Sequence, residues 1–165
     1  MKYFTKVLWQ QINSSDPGAR LKAELAWSEN DKKYAKYFEG IKRYMPKDLV
    51  RISFHDSLIK SISIINKRNK CYNCMLELEG QGKQTVIEFY DIEEFSLKID
   101  SFNNGFSKCL TWGYEEWEVV SCKPRKFRLS VLCDIEKEFS FIFKNATIVE
   151  PKTGDGLKPL KKWVF

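Results

Sequence analysis

"LIKSISIINKRNKCYNCMLELEG", residues 58–80, decides the fold class. Ile62 and Ile64 fall on one parity, Ser61 and Ser63 on the other. After a polar run at 67–70, Tyr72, Cys74, Leu76 and Leu78 share one parity, and Glu77 and Glu79 take the other. A period of two belongs to an extended chain with one buried and one wet face. Two such runs about a short polar turn predict an antiparallel hairpin.

The pattern continues toward the C-terminus. "TVIEFYD" puts Ile87 and Phe89 on one face, and "EEFSLKID" puts Phe95, Leu97 and Ile99 inward. Asn104-Gly105 is a turn signal. Phe127, Leu129, Val131, Cys133 and Ile135 point one way, then Phe139, Phe141 and Phe143 do the same across a tight turn at 134–137. In "CLTWGYEEWEVVSC", residues 109–122, Leu110, Trp112 and Tyr114 share a parity that Trp117 and Val119 do not. A phase change at 113–116 predicts a bulge or sharp bend. The count is about seven strands.

Toward the N-terminus the period becomes helical. Asp16 suits an N-cap and Pro17 the first helical position, with Leu21 and Leu25 one turn apart. A second helix, capped by Asn30 or Asp31, carries Tyr34, Tyr37, Phe38, Ile41, Tyr44 and Met45 on one face and closes at Pro46. Helices followed by alternating strands predict an α+β fold. The expected single domain spans 1–165, with a helical layer (1–46) packed on a mainly antiparallel sheet or half-barrel (57–150) and a tail (151–165).

Composition sets the class. The chain has 165 residues, 43% hydrophobic and 30% charged, enough for a core without staples. No apolar run is long enough to span a membrane, and the first 18 residues show no apolar segment with a cleavage site. A cytoplasmic location is expected, and five cysteines scattered through apolar patterns suit buried thiols. The net charge of +6 is spread among acidic residues, as on a solvated surface.

His55, the only histidine, precedes Asp56 and Ser57. A hydrolase triad needs the imidazole to reach a hydroxyl and a carboxylate through space. On an extended chain neighbours point to opposite faces, so His55 should not orient on Asp56. Ser57 lies on no nucleophile elbow. All three therefore read as structural: a polar turn at a strand mouth that ties the helical layer to the sheet. Cys71 and Cys74 have half the spacing of a zinc site, but no second pair exists, so no metal and no cofactor are expected. Glu115, Glu116 and Glu118 read as outward carboxylates beside Trp112, Tyr114 and Trp117. Trp112, Tyr114, Glu115, Glu116 and Trp117 form the candidate protein-binding surface.

Short motifs along most of the chain resemble a bacterial family of uncharacterised proteins: the start "MKYFTK", the "FHDSLIKSI" strand, Trp112, Tyr114, Glu115 and Glu116, and "FIFKNATIVE". The resemblance implies no activity. The His-Asp strand is also similar to patterns in small immunity proteins, which implies a protein partner such as a toxin. Because this chain is basic, that toxin is not expected to be a nuclease. The leading expectation is a non-enzymatic protein-interaction domain. The alternative from another class is a small hydrolase using His55 with Glu115 or Glu116. Nucleic-acid binding through Lys123, Arg125, Lys126 and Arg128 comes third, because Phe127 between them has core parity.

Overall fold

The computed structural model describes residues 1–50, 53–67, 71–80, 82–98, 110–133 and 137–149. Ile99, the Asn104-Gly105 turn, Ile135 and the tail at 151–165 lie outside the described residues. The chain forms α1 (Lys6–Ile12), α2 (Pro17–Ile41), a 3-10 turn (Lys42–Tyr44) and α3 (Lys47–Val50). Among the described residues eight strands follow: β1 (Leu58–Lys67), β2 (Cys71–Gly80), β3 (Lys83–Ile92), β4 (Glu94–Lys98), β5 (Leu110–Cys122), β6 (Arg125–Cys133), β7 (Glu138–Phe143) and β8 (Asn145–Val149). The fold is α+β, with helices packed on an antiparallel sheet that is not closed.

The helical layer differs from expectation in two ways. Two helices with a break near Asn30 become one 25-residue helix. Residues 28–33 hold no Gly or Pro to stop it, and their polar side chains suit a solvated face. Asp16 caps it as expected, accepting from the Gly18 N–H at 2.9 Å. Leu21 and Leu25 face solvent rather than the core. The short α1 was not anticipated. Thr5 caps it by accepting from the Leu8 N–H, and α1 packs on α2 through Trp9 and Trp27.

The strand order is β4-β7-β6-β5-β1-β2-β3-β8. The predicted hairpin is β1–β2, with Ile62 opposite Leu76 and Ile64 opposite Cys74. The eighth strand arises because the last predicted strand bends at Lys144 into β7 and β8. β3 passes into β4 at the same corner, where the Lys144 N–H donates to the Tyr90 carbonyl and the Glu93 N–H to the Ile142 carbonyl. Asp91, next to that corner, has φ +54°. The bends turn the two halves of the sheet toward each other, so Phe89 of β3 meets Phe141 and Phe143 of β7 edge to face. Leu76, Ile87, Leu129 and Val131 complete the interior. Leu97, expected inward, is exposed, as is Ile64.

β1 and β5 overlap by two pairs only, Leu58 with Thr111 and Ile59 with Leu110. Among the described residues most of β5 therefore lacks a strand on that side, and α2 takes its place. The Tyr34 hydroxyl accepts from the Trp117 N–H at 2.7 Å and the Tyr37 hydroxyl from the Val119 N–H at 3.4 Å. Two tyrosines from the predicted aromatic stripe thus satisfy edge amides that would otherwise be buried without partners.

The β5–β6 register slips between Trp112 and Tyr114, where the sequence pattern places the bulge. Gly113 makes it possible. A Cβ there would lie 2.6 Å from the Leu132 carbonyl oxygen, a backbone atom inside the sheet. Gly113→Ala is expected to cost about 1–3 kcal/mol by overpacking. Urea unfolding measures it, and an unchanged midpoint would show that the bulge has slack.

Candidate functional site

The turn ahead of β1 is fastened to β5 at one residue. The Asp56 N–H donates to the Trp112 carbonyl and the Trp112 N–H to the Ser57 carbonyl, both at 2.8 Å. A Ser57 N–H bond to the Phe54 carbonyl closes the turn at 3.0 Å. Asp56 sits at φ +64°, a region a non-glycine residue enters only when its surroundings hold it there. The turn overturns the expectation that His55 and Asp56 diverge. The chain is not extended here, and His55 Nδ1 lies 3.0 Å from Asp56 Oδ2. The imidazole is 46% exposed and Asp56 83%.

Ser57 does not join this pair. It is buried against Gly80, where an added Cβ would stand 2.5 Å from its Oγ. No hydrogen bond among the described residues links it to His55. The three adjacent residues therefore make an oriented His–Asp pair and a packed serine, not a triad.

The bulge decides what β5 shows. Trp112 is 0% exposed and Trp117 3%, so neither belongs to a surface. This corrects the expected binding face. Trp112 packs on Phe54 and Phe139, and Trp117 on Phe143. Glu115 lies between them and accepts from both indole N–H groups. Burial pushes its carboxyl up from the ordinary range. The two indoles and the nearby His55 oppose that shift.

On the other face, Glu116 is not an outward carboxylate either. It is 8% exposed and accepts the backbone N–H groups of Lys2, Tyr3 and Phe4, each at 2.6 Å. Consecutive amides around one anion form a nest. Glu116 is committed to holding the N-terminal segment, so it is no general base beside His55. Only Glu118 stands outward as expected, paired with Arg128 at 2.8 Å.

The pinned segment and the helices bring together rings from five parts of the chain. Phe4 is buried and touches Trp27 and Tyr114 at 5.0 and 5.6 Å between centroids. Trp27 meets Tyr114 edge to face at 4.5 Å, and Trp9 lies 6.1 Å from Tyr114. His55 also meets Tyr114 edge to face, at 5.1 Å. Trp9, Trp27 and Tyr114 are partly exposed. Burial raises the Tyr114 phenol first, and the Asp56 and Asp31 carboxylates add to the shift. Trp9, Trp27, Phe4 and Asp31 were absent from the sequence-based site. Thr5 as an N-cap ahead of Trp9 is the local signal that could have placed α1.

A cleft of about 350 Å³ borders the pinned segment, lined by Tyr3, Tyr34, Tyr37, Glu118, Arg128 and Ser130 among others. The basic run nearby is neutralised in part. Lys126 pairs with Glu93 at 2.7 Å and Arg128 with Glu118, while Phe127 is buried and offers no ring for stacking. Burial pushes the Cys74 thiol up to about 12, which makes it a poor metal ligand or nucleophile. Among the described residues no group of three His, Cys, Asp or Glu side chains is placed to hold a metal ion.

No protein-family model matches the chain, and a search of curated proteins finds no match.

Two outcomes are expected from the carboxylates. Glu116→Ala leaves three amides without their acceptor and should cost about 3 kcal/mol, at about 1 kcal/mol for each lost partner. An unfolding midpoint equal to wild type would show that the segment is not held. Glu115 has a folded-state pKa above its unfolded value. Its contribution is complete below the unfolded pKa and declines as the pH rises through the folded one. Glu115→Gln should therefore gain stability relative to wild type as the pH is raised from below the ordinary carboxylate range to above it. A stability difference that stays constant across that range would contradict the assignment.

Proposed function

We propose that this chain is a protein-interaction domain that binds its partner through the surface where His55, Tyr114, Trp9 and Trp27 meet. One observation carries the reading: four aromatic rings from separate elements pack into a rigid, partly exposed cluster beside an exposed carboxylate. Rigid aromatic anchors with a polar rim are typical of protein-binding hot spots, because ordering them costs little entropy. An immunity-like role, with a toxin as the partner, is the specific form that the His-Asp resemblance favours. A cytoplasmic location fits the thiols of Cys74 and Cys122, which form no disulfide. No helix among the described residues is long and apolar enough to cross a membrane.

A second reading, hydrolysis, has one observation behind it. Asp56 holds His55 through Nδ1, which leaves Nε2 as the ring nitrogen open to a substrate proton. Glu115 is the carboxylate left near the ring once Glu116 is committed. Nucleic-acid binding has less support, since the basic run is paired and its aromatic ring is buried.

Capture from host lysate with the full chain as bait separates the readings. One stoichiometric partner, lost in Trp9→Ser and in His55→Ala baits that unfold at the wild-type temperature, is the expected result. A partner retained by both variants would place the binding surface elsewhere. Hydrolysis of a chromogenic ester or glycoside that disappears in His55→Ala would favour the second reading.

A further inference from the structure

Resting on the interaction reading, we infer that the surface at Tyr114 recognises an arginine side chain of the partner. The chain carries a net charge of +6, yet two carboxylates, Asp56 and Asp31, stand beside this ring cluster. Asp56 and Asp31 both act on the Tyr114 phenol. Asp31 lies one helical turn after Trp27, on the same face of α2. Asp56 uses one carboxylate oxygen on His55 Nδ1 and is 83% exposed, so its other oxygen faces solvent chemistry. The local charge thus opposes the charge of the rest of the molecule and selects a cationic group.

The aromatic rings select among cations. Trp27 and Tyr114 are packed at 4.5 Å and leave no cage between them, so a compact ammonium cannot be enclosed. A planar guanidinium needs only an open ring face to stack on and a carboxylate at its edge. Trp9, Trp27 and Tyr114 supply partly exposed rings, and Asp56 and Asp31 supply the carboxylates. His55 Nδ1, 3.0 Å from one Asp56 oxygen, orients that carboxylate. The backbone hydrogen bonds to Trp112 fasten the turn that carries Asp56 to β5, next to Tyr114.

The test pans a random phage-displayed peptide library on the immobilised full chain. A double variant, Asp31→Asn with Asp56→Asn, serves as counter-target. Asn tolerates the left-handed region, so the turn should persist. The expected winners are enriched in arginine. A synthetic winner should lose at least about tenfold in affinity when its arginine becomes lysine, and as much on the double variant. Peptides that bind, are lost in Trp9→Ser and show no arginine preference would overturn the arginine inference while leaving the interaction surface in place. Peptides indifferent to Trp9→Ser would overturn both. Lysine performing as well as arginine, or a selection that yields no binder, also overturns the inference.

Discussion

The Glu116 carboxylate with the amides of Lys2, Tyr3 and Phe4 is the contact on which the site depends. A buried carboxylate without donors would be costly. Three consecutive amides offset that cost with charge-assisted bonds and fix the segment in one conformation. Phe4 is thereby set under Trp27 and Tyr114, and the Tyr3 carbonyl accepts from the Asn30 side chain of α2 at 2.9 Å. One carboxylate on β5 thus positions both the helical layer and the aromatic surface.

That arrangement follows from the bulge at Gly113. Without the slip, Tyr114 would keep the parity of Trp112 and turn into the interior. With it, Trp112, Glu115 and Trp117 point inward, while Tyr114 faces the helices and Glu116 the N-terminal segment. The offset of β1 from β5 has a matching consequence. It exposes β5 amides that Tyr34 and Tyr37 then satisfy, and burial together with Glu115 and Glu116 keeps the Tyr34 phenol protonated well above the usual range. Layer packing, strand register and site geometry therefore share a single local irregularity.

Much of the fold was legible because period-two alternation is a local signal. Residues 58–80 specified their hairpin, and the parity change at 113–116 announced the bulge. The boundary at Lys144 was not legible, since the alternation of Phe139, Phe141 and Phe143 runs into "NATIV" with no glycine or proline. The site was harder to read. Aromatic residues beside glutamates on one strand suggested a surface, but whether each points in or out depends on a slip of one residue. That slip sent Trp112 and Trp117 to the core and left only Tyr114 outside. The His55–Asp56 contact depended on a turn conformation that residue types alone did not indicate. Trp9, Trp27 and Asp31 reach the site through tertiary packing, which carries no local pattern.

Amide hydrogen exchange at Lys2, Tyr3 and Phe4, followed residue by residue in the wild-type chain, tests the central claim most directly. If Glu116 holds the segment, these amides exchange far more slowly than in an unstructured peptide and lose protection together in Glu116→Ala, while the amides of β6 keep theirs. Exchange at the free-peptide rate in wild type would mean that the segment is not anchored, and the aromatic surface would lose the support on which its proposed role rests.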